Sequence, residues 1–116
     1  MTSELVFDAE PLLAYFWDEE GSDDVDEKLQ KVENGELNGY ISYVTCSEVH
    51  YVVRRKQDEE TADAYLKSIM AELDCLDVEN VWSKAAYFKY EYNTSLGDAF
   101  TLGTASEVER FRKDSV

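Results

Sequence analysis

Three short apolar runs, separated by longer segments with helical spacing, constrain the fold of this chain more than any other feature. They are ELVF (residues 4–7), GYISYV (39–44) and CLDV (75–78), each of a length suited to a buried strand. Strands that alternate with helices predict a three-layer α/β/α fold, in which helices cover both faces of a mostly parallel central sheet. The 116 residues are enough for one such domain, and we expect it to span residues 1–116.

The segments between the runs predict six helices. Pro11 suits the first position of the first helix, and apolar residues recur at helical spacing from Asp23 to about Asn34. The helix predicted from Asp58 carries Met70 on its apolar side. The predicted starts of the other three helices are Thr45, Asn80 and Ser95.

The composition is strongly acidic, with 26 Asp and Glu against 11 Lys and Arg and a net charge of −15. A basic partner could neutralise this charge, or very high salt could screen it, since the Debye length falls to about 3 Å at 1 M. The carboxylates are spread along the chain, with one dense patch at DEEGSDDVDE (18–27), which favours high salt. We therefore expect a halophilic source, and this inference concerns environment, not function.

The remaining composition excludes several kinds of site. Cys46 and Cys75 form no CxxC pair and are expected to be reduced, buried thiols in a cytoplasmic protein. His50 is the only histidine, which excludes a catalytic histidine pair and a histidine-rich zinc site. No apolar run approaches 18 residues and the N-terminus has no signal layout, so we expect no membrane partner.

Three acidic residues follow the predicted strands or open the predicted last helix. Asp8 comes directly after the first run, Glu48 is predicted in the first turn of the helix after the second, and Asp98 in the first turn of the last helix. A local explanation also exists, because TCSE (45–48) and SLGD (95–98) have the capping-box pattern and Asp8 suits a turn. Each motif alone is more often a cap than a ligand.

Convergence at one sheet edge gives these acids a second explanation. Ligands of open α/β sheets bind beyond the carboxyl ends of the strands, where all three acids are predicted to lie. Like charges brought together need a shared cation or proton, and oxygen ligands without His or Cys select Mg²⁺ or Mn²⁺. Such a site leaves positions for water and a phosphate oxygen, as phosphodiester hydrolysis requires.

Three blocks of the sequence resemble the PIN-domain family. They are LVFDAEPLLAYF (5–16), YISYVTCSEVHYVVRR (40–55) and AAYFKYEYNTSLGDAFTLGTA (85–105). The likeness is greatest to the VapC-like group, which includes the toxins of toxin–antitoxin pairs. The resemblance implies a three-layer α/β/α fold, an endoribonuclease that depends on Mg²⁺ or Mn²⁺, an RNA substrate, an antitoxin partner and a homodimer.

The resemblance also implies roles for individual residues. Asp8, Glu48 and Asp98 match the catalytic, metal-binding acids of the family, and Ser95 matches a serine that often precedes the third acid. Thr45 stands where many members carry Asn, so an amide contact to the acid would be lost.

One departure from the family pattern leaves other hypotheses open. Members usually continue into a final strand and a turn with a fourth acid, whereas this chain reads ASEVERFRKDSV, and Asp114 lacks a preceding apolar strand. Either the protein is an enzyme that works with three acids, or its site is weakened and it serves as a partner-binding protein, or the sequence is a shortened form. A more remote hypothesis is an acidic adaptor that uses the patch at 18–27.

Basic and aromatic residues offer a few candidates for RNA contact. Lys89 matches a position where related sequences often have Lys, whereas the RRK run at 54–56 is best explained as the end of a helix. Aromatic side chains could stack bases or pack in the core and in a dimer interface, and their spacing does not distinguish these roles. They are Tyr15, Phe16, Trp17, Tyr87, Tyr90 and Tyr92.

Overall fold

A computed structural model describes residues 3–114. It contains three strands, β1 (Ser3–Val6), β2 (Leu37–Ser42) and β3 (Asp74–Leu76), and six helices, α1 (Ala9–Phe16), α2 (Ser22–Glu33), α3 (Tyr43–Lys56), α4 (Glu59–Glu72), α5 (Val78–Tyr92) and α6 (Leu96–Asp114). The strands form one sheet in the order β1-β2-β3, and both pairs are parallel. The predicted α/β fold is therefore confirmed, and the carboxyl ends of all three strands meet at one edge.

Two hydrophobic clusters hold helices against the sheet. The larger cluster packs the first four helices against the sheet through fully buried side chains such as Leu12, Ile41 and Val49. The smaller one joins α5 and α6, around Val81 and Phe100. Helix α6 also contacts β1 and β2, so its first turn lies beside the carboxyl edge of the sheet.

The α5–α6 pair packs closely because α6 has a glycine at the contact. A Cβ at Gly103 would lie 3.0 Å from the backbone nitrogen of Ala85 and 3.0 Å from Cγ1 of Val81. These distances are tighter than ordinary van der Waals contact, so a larger residue would push the two helices apart.

Several predicted boundaries were wrong by a few residues. Helix α3 begins at Tyr43, not at Thr45, because the side chain of Ser42 accepts the backbone N–H of Thr45 and caps the helix two residues before the end of the predicted strand. Helix α5 begins after Asp77, so Asn80 is not its cap. Pro11 is the third residue of α1, where a missing N–H still costs no helical bond.

The burial of Met70 was also predicted wrongly, since this side chain is exposed on α4. No strand follows α6 within residues 3–114, in agreement with the predicted lack of the last strand. The backbone at Asp114 belongs to α6, and its side chain lies outside the described part of the chain.

Candidate active site

Asp8 is fixed at the N-terminus of α1, two residues beyond β1. Its Oδ1 accepts the backbone N–H of Ala9 at 2.8 Å and the hydroxyl of Thr101 at 3.1 Å. It therefore caps α1, as the local explanation requires, and it also contacts α6 from 93 residues away in sequence. The two bonds hold the carboxylate in one orientation at the edge of the sheet.

Asp98 lies in the first turn of α6, as predicted. Its backbone N–H donates to the hydroxyl of Ser95 at 3.1 Å, which confirms the predicted capping role of this serine. The Asp98 carboxylate does not complete a capping box in the described structure. Its Oδ2 instead accepts the hydroxyl of Thr94 at 3.4 Å, and the carboxylate lies next to Asp8.

Glu48 lies in the second turn of α3, one turn later than predicted, because Ser42 and not Thr45 begins the helix. It therefore has no part in a capping box at Thr45. Its carboxylate lies directly against Gly97 of α6, where an added Cβ would overlap Oε1. Because Gly97 has no side chain, the carboxylate of Glu48 can approach the first turn of α6.

Two of the three carboxylates, those of Asp8 and Glu48, have a raised pKa. Burial is the main cause that raises the pKa of Asp8, and a hydrogen bond and charge repulsion from Asp98 raise it further. Burial also raises the pKa of Glu48, with added repulsion from Asp8 and Asp98. No ion pair among the described residues involves any of these acids. The structure thus brings the three predicted acids together without a cationic partner.

A chain of hydrogen-bonded hydroxyl groups runs from Ser42 to Asp8. The hydroxyls of Ser42 and Thr45 lie 3.2 Å apart, Thr45 lies 3.4 Å from Thr101, and Thr101 donates to Asp8. Thr45 therefore reaches the acid through Thr101, and its hydroxyl does not cap α3. Sequence reasoning did not identify Ser42 or Thr101, and their only signal was their position in the matching blocks.

The donor chemistry of the three acids fits a hard divalent cation. All donors are carboxylate oxygens, the type that Mg²⁺ and Mn²⁺ prefer, and no described lysine or arginine neutralises them. As the side chains stand, however, no group of three His, Cys, Asp or Glu residues among those described is arranged to hold a metal ion. Binding at this position would require the less constrained carboxylates of Glu48 and Asp98 to turn toward an ion beside Asp8.

Most of the other residues considered from sequence have structural partners. His50 pairs with Asp63 at 2.8 Å, and Lys56 lies over the ring of Trp17. Cys46 and Cys75 are free thiols; Cys46 is buried as predicted, which raises its pKa to about 12, whereas Cys75 is only partly buried.

The aromatic residues fall into two groups. Tyr15, Phe16 and Trp17 pack against the larger cluster, where Phe16 stacks on Tyr65 at a centroid distance of 4.0 Å. Tyr87, Tyr90 and Tyr92 are exposed on α5. The first group is thus structural, and the second is available to a partner.

Comparison with known families agrees with this geometry. The family model described as the PIN domain matches residues 5–109, and the chain belongs to that family. PIN domains are generally nucleases that act on RNA and use divalent metal ions. A search of curated proteins found no significant match. Within residues 3–114, no helix is long and apolar enough to cross a membrane.

Proposed function

We propose that the protein is an endoribonuclease whose activity depends on Mg²⁺ or Mn²⁺ held by Asp8, Glu48 and Asp98. The observation that carries this proposal is the convergence of three carboxylates, from the cap of α1 and from α3 and α6, without a cationic partner among the described side chains. Such an arrangement is unfavourable in the metal-free protein, because burial and repulsion raise the proton affinity of Asp8 and Glu48. A bound cation would remove that cost.

Each side chain has a distinct task in this proposal. Asp8, fixed by Ala9 and Thr101, provides a preoriented ligand oxygen. Asp98 adds a second ligand from the first turn of α6, and Glu48 can accept a proton from the attacking water at a carboxylate oxygen. When bound, the divalent ion supplies Lewis-acid stabilisation of the phosphate charge.

We further propose that the enzyme is the toxin of a type II toxin–antitoxin pair, works as a homodimer and comes from a halophilic archaeon. The support is the resemblance to the VapC-like group and a net charge of −15 in 116 residues. At high salt, repulsion between this surface and RNA is largely screened, so short-range contacts must supply the affinity.

The test is cleavage of single-stranded RNA in molar KCl, with Mn²⁺ or with EDTA. We expect cleavage by the wild-type protein with Mn²⁺ and none with EDTA or with Asp98→Asn. The matched control is Asp74→Asn, which makes the same change on an exposed residue of β3, the edge strand on the far side of β2 from β1. Cleavage that persists in Asp98→Asn, or that does not depend on metal, would refute the proposal.

A second candidate function is a PIN-like protein that binds a partner without cleaving RNA. The observation that favours it is that, in the described part of the chain, no three acids stand ready to hold a metal. This candidate predicts a stable fold, weak Mn²⁺ binding and no metal-dependent cleavage. The same assay separates the two functions.

A further inference from the structure

The exposed face of α5 differs from the rest of this acidic surface. A shallow groove runs between α5 and the start of α6, lined by residues that include Trp82, Lys89, Tyr90, Leu96 and Phe100. None of its lining residues is acidic. Four other surface depressions of the described chain are each lined by at least one Asp or Glu. In a chain with 26 acidic residues, this groove is therefore a local gap in the negative surface.

The aromatic side chains of the groove are open to solvent. Tyr90 is 86% exposed and Trp82 is 59% exposed, far more than a role in the core would allow. Leu96, at the start of α6, is also 56% exposed. Flat aromatic faces of this kind bind unpaired bases by stacking, with little preference for sequence.

Lys89 adds a positive charge at the same groove. Its ammonium donates to the backbone oxygen of Thr94 at 3.0 Å and has no acidic partner in the described structure. By contrast, Lys84 on the same helix is paired with Glu107. An ammonium has three donors, so Lys89 can also bind a phosphate oxygen.

The groove lies near the candidate active site, at the N-terminal end of α6. Lys89 donates to the carbonyl of Thr94, and the hydroxyl of Thr94 donates to Asp98 at 3.4 Å. Leu96 and Asp98 share the first turn of α6, where residues two apart point to different sides of the helix. A strand that leaves the groove across the N-terminal end of α6 would therefore reach the three acids.

From these observations we infer that the α5 groove binds single-stranded RNA beside the cleavage site, with bases stacked on Trp82 and Tyr90 and a backbone phosphate at Lys89. The inference rests on the proposed function and names where its substrate binds. A protein with a net charge of −15 has no long-range attraction to RNA, so short-range contacts must supply the affinity. Stacking of bases on aromatic rings is such a contact, and salt does not screen it. A second copy of the chain is the competing occupant, but an interface between copies does not require a lysine that is bound only to the carbonyl of Thr94 among its described partners.

The test measures binding of a fluorescently labelled single-stranded RNA by anisotropy in molar KCl with EDTA, so that no cleavage occurs. We expect Trp82→Ala and Tyr90→Ala each to raise the Kd about tenfold, as loss of a stacked base does. The matched control is Tyr87→Ala on the same helix, which is 56% exposed but does not line the groove. Trp82→Phe keeps an aromatic face and should retain most of the affinity.

Each other outcome overturns the inference in a distinguishable way. Unchanged RNA binding in both alanine variants, with metal-dependent cleavage intact in the wild type, would refute the groove and leave the proposed function standing. Unchanged RNA binding with a shift from dimer to monomer in sedimentation would assign the groove to a second copy. A wild-type protein that neither binds nor cleaves RNA would refute the proposed function and this inference together.

Discussion

Helix α6 carries two carboxylates in opposite surroundings, and the contrast separates structure from function. Glu107 is 3% exposed and binds Lys84 at 2.5 Å and Arg110 at 2.8 Å. Hydrogen bonds from Arg110 and Lys84 lower its pKa. Asp98, about two turns earlier, lies beside Asp8 and Glu48 and has no cationic partner in the described structure. Glu107, a buried acid that holds two helices together, has two cationic partners, whereas Asp98 and its acidic neighbours have none among the described residues.

The largest expected effect is on activity, through Glu48→Gln. This change keeps the size of the side chain but removes a ligand and a proton acceptor, so we expect the rate of RNA cleavage to fall on the order of 10²-fold or more. Cleavage of a single-stranded RNA with Mn²⁺ measures this. Glu107→Gln, the same chemical change outside the site, should keep activity at a temperature where it is folded. An equal loss of RNA cleavage in both variants would contradict the assignment of Glu48 to the active site and of Glu107 to a structural role.

The next effect is on stability, through Glu107→Gln. Loss of charge-assisted hydrogen bonds to Lys84 and Arg110 should lower the free energy of unfolding by about 1–3 kcal/mol. Denaturant unfolding at pH 7 measures this, with Glu48→Gln as the control that should not be destabilised.

The same ion pairs predict a pH dependence. Because the pKa of Glu107 is lowered in the folded state, its contribution is fully present above the ordinary value of 4.5. It is lost as the pH falls through the lower folded pKa. Wild type and Glu107→Gln should therefore converge in stability at low pH, and a constant difference would contradict this assignment.

These two carboxylates also show what sequence reasoning can and cannot reach. The alternation of short apolar runs and helices predicted the sheet, and strand ends predicted where Asp8, Glu48 and Asp98 would gather. The role of Glu107 was not predictable, because it depends on Lys84 of another helix. Thr101 was missed for the same reason, since its partner Asp8 is 93 residues away. The start of α3 was misplaced because Ser42, a small polar residue inside an apolar run, caps the helix.

A third prediction concerns the support behind Asp8. Thr101→Val removes the hydroxyl that donates to Asp8 Oδ1, so the carboxylate is held by Ala9 alone among its described donors. We expect Mn²⁺ affinity to fall about tenfold, as loss of a supporting hydrogen bond typically causes. Thr104→Val is the matched control, because that hydroxyl donates to the carbonyl of Phe100 within α6. An equal fall in both variants would indicate a general disturbance of the helix.

The smallest expected effect is a gain in stability. Burial, with added repulsion, raises the pKa of Asp8 and Glu48 in the folded state, so the metal-free protein loses stability as the pH rises from the ordinary carboxyl values of 3.8 and 4.5 through the higher folded values. Asp98→Asn removes part of this repulsion and should raise the free energy of unfolding at pH 7 by less than about 1 kcal/mol, the usual size of contacts between partly exposed charges. Denaturant unfolding in EDTA measures the gain, and it should disappear at low pH. A loss of stability at pH 7 would mean that Asp98 serves mainly as a helix-capping residue.

Calorimetric titration of the protein with Mn²⁺ in high salt tests the central claim most directly. It compares the wild type with Asp98→Asn and with the control Asp74→Asn. We expect saturable binding in the wild type and in Asp74→Asn, and loss of that binding in Asp98→Asn. Equally weak binding in all three proteins would contradict the account, because the acids at the sheet edge would then not form a metal site.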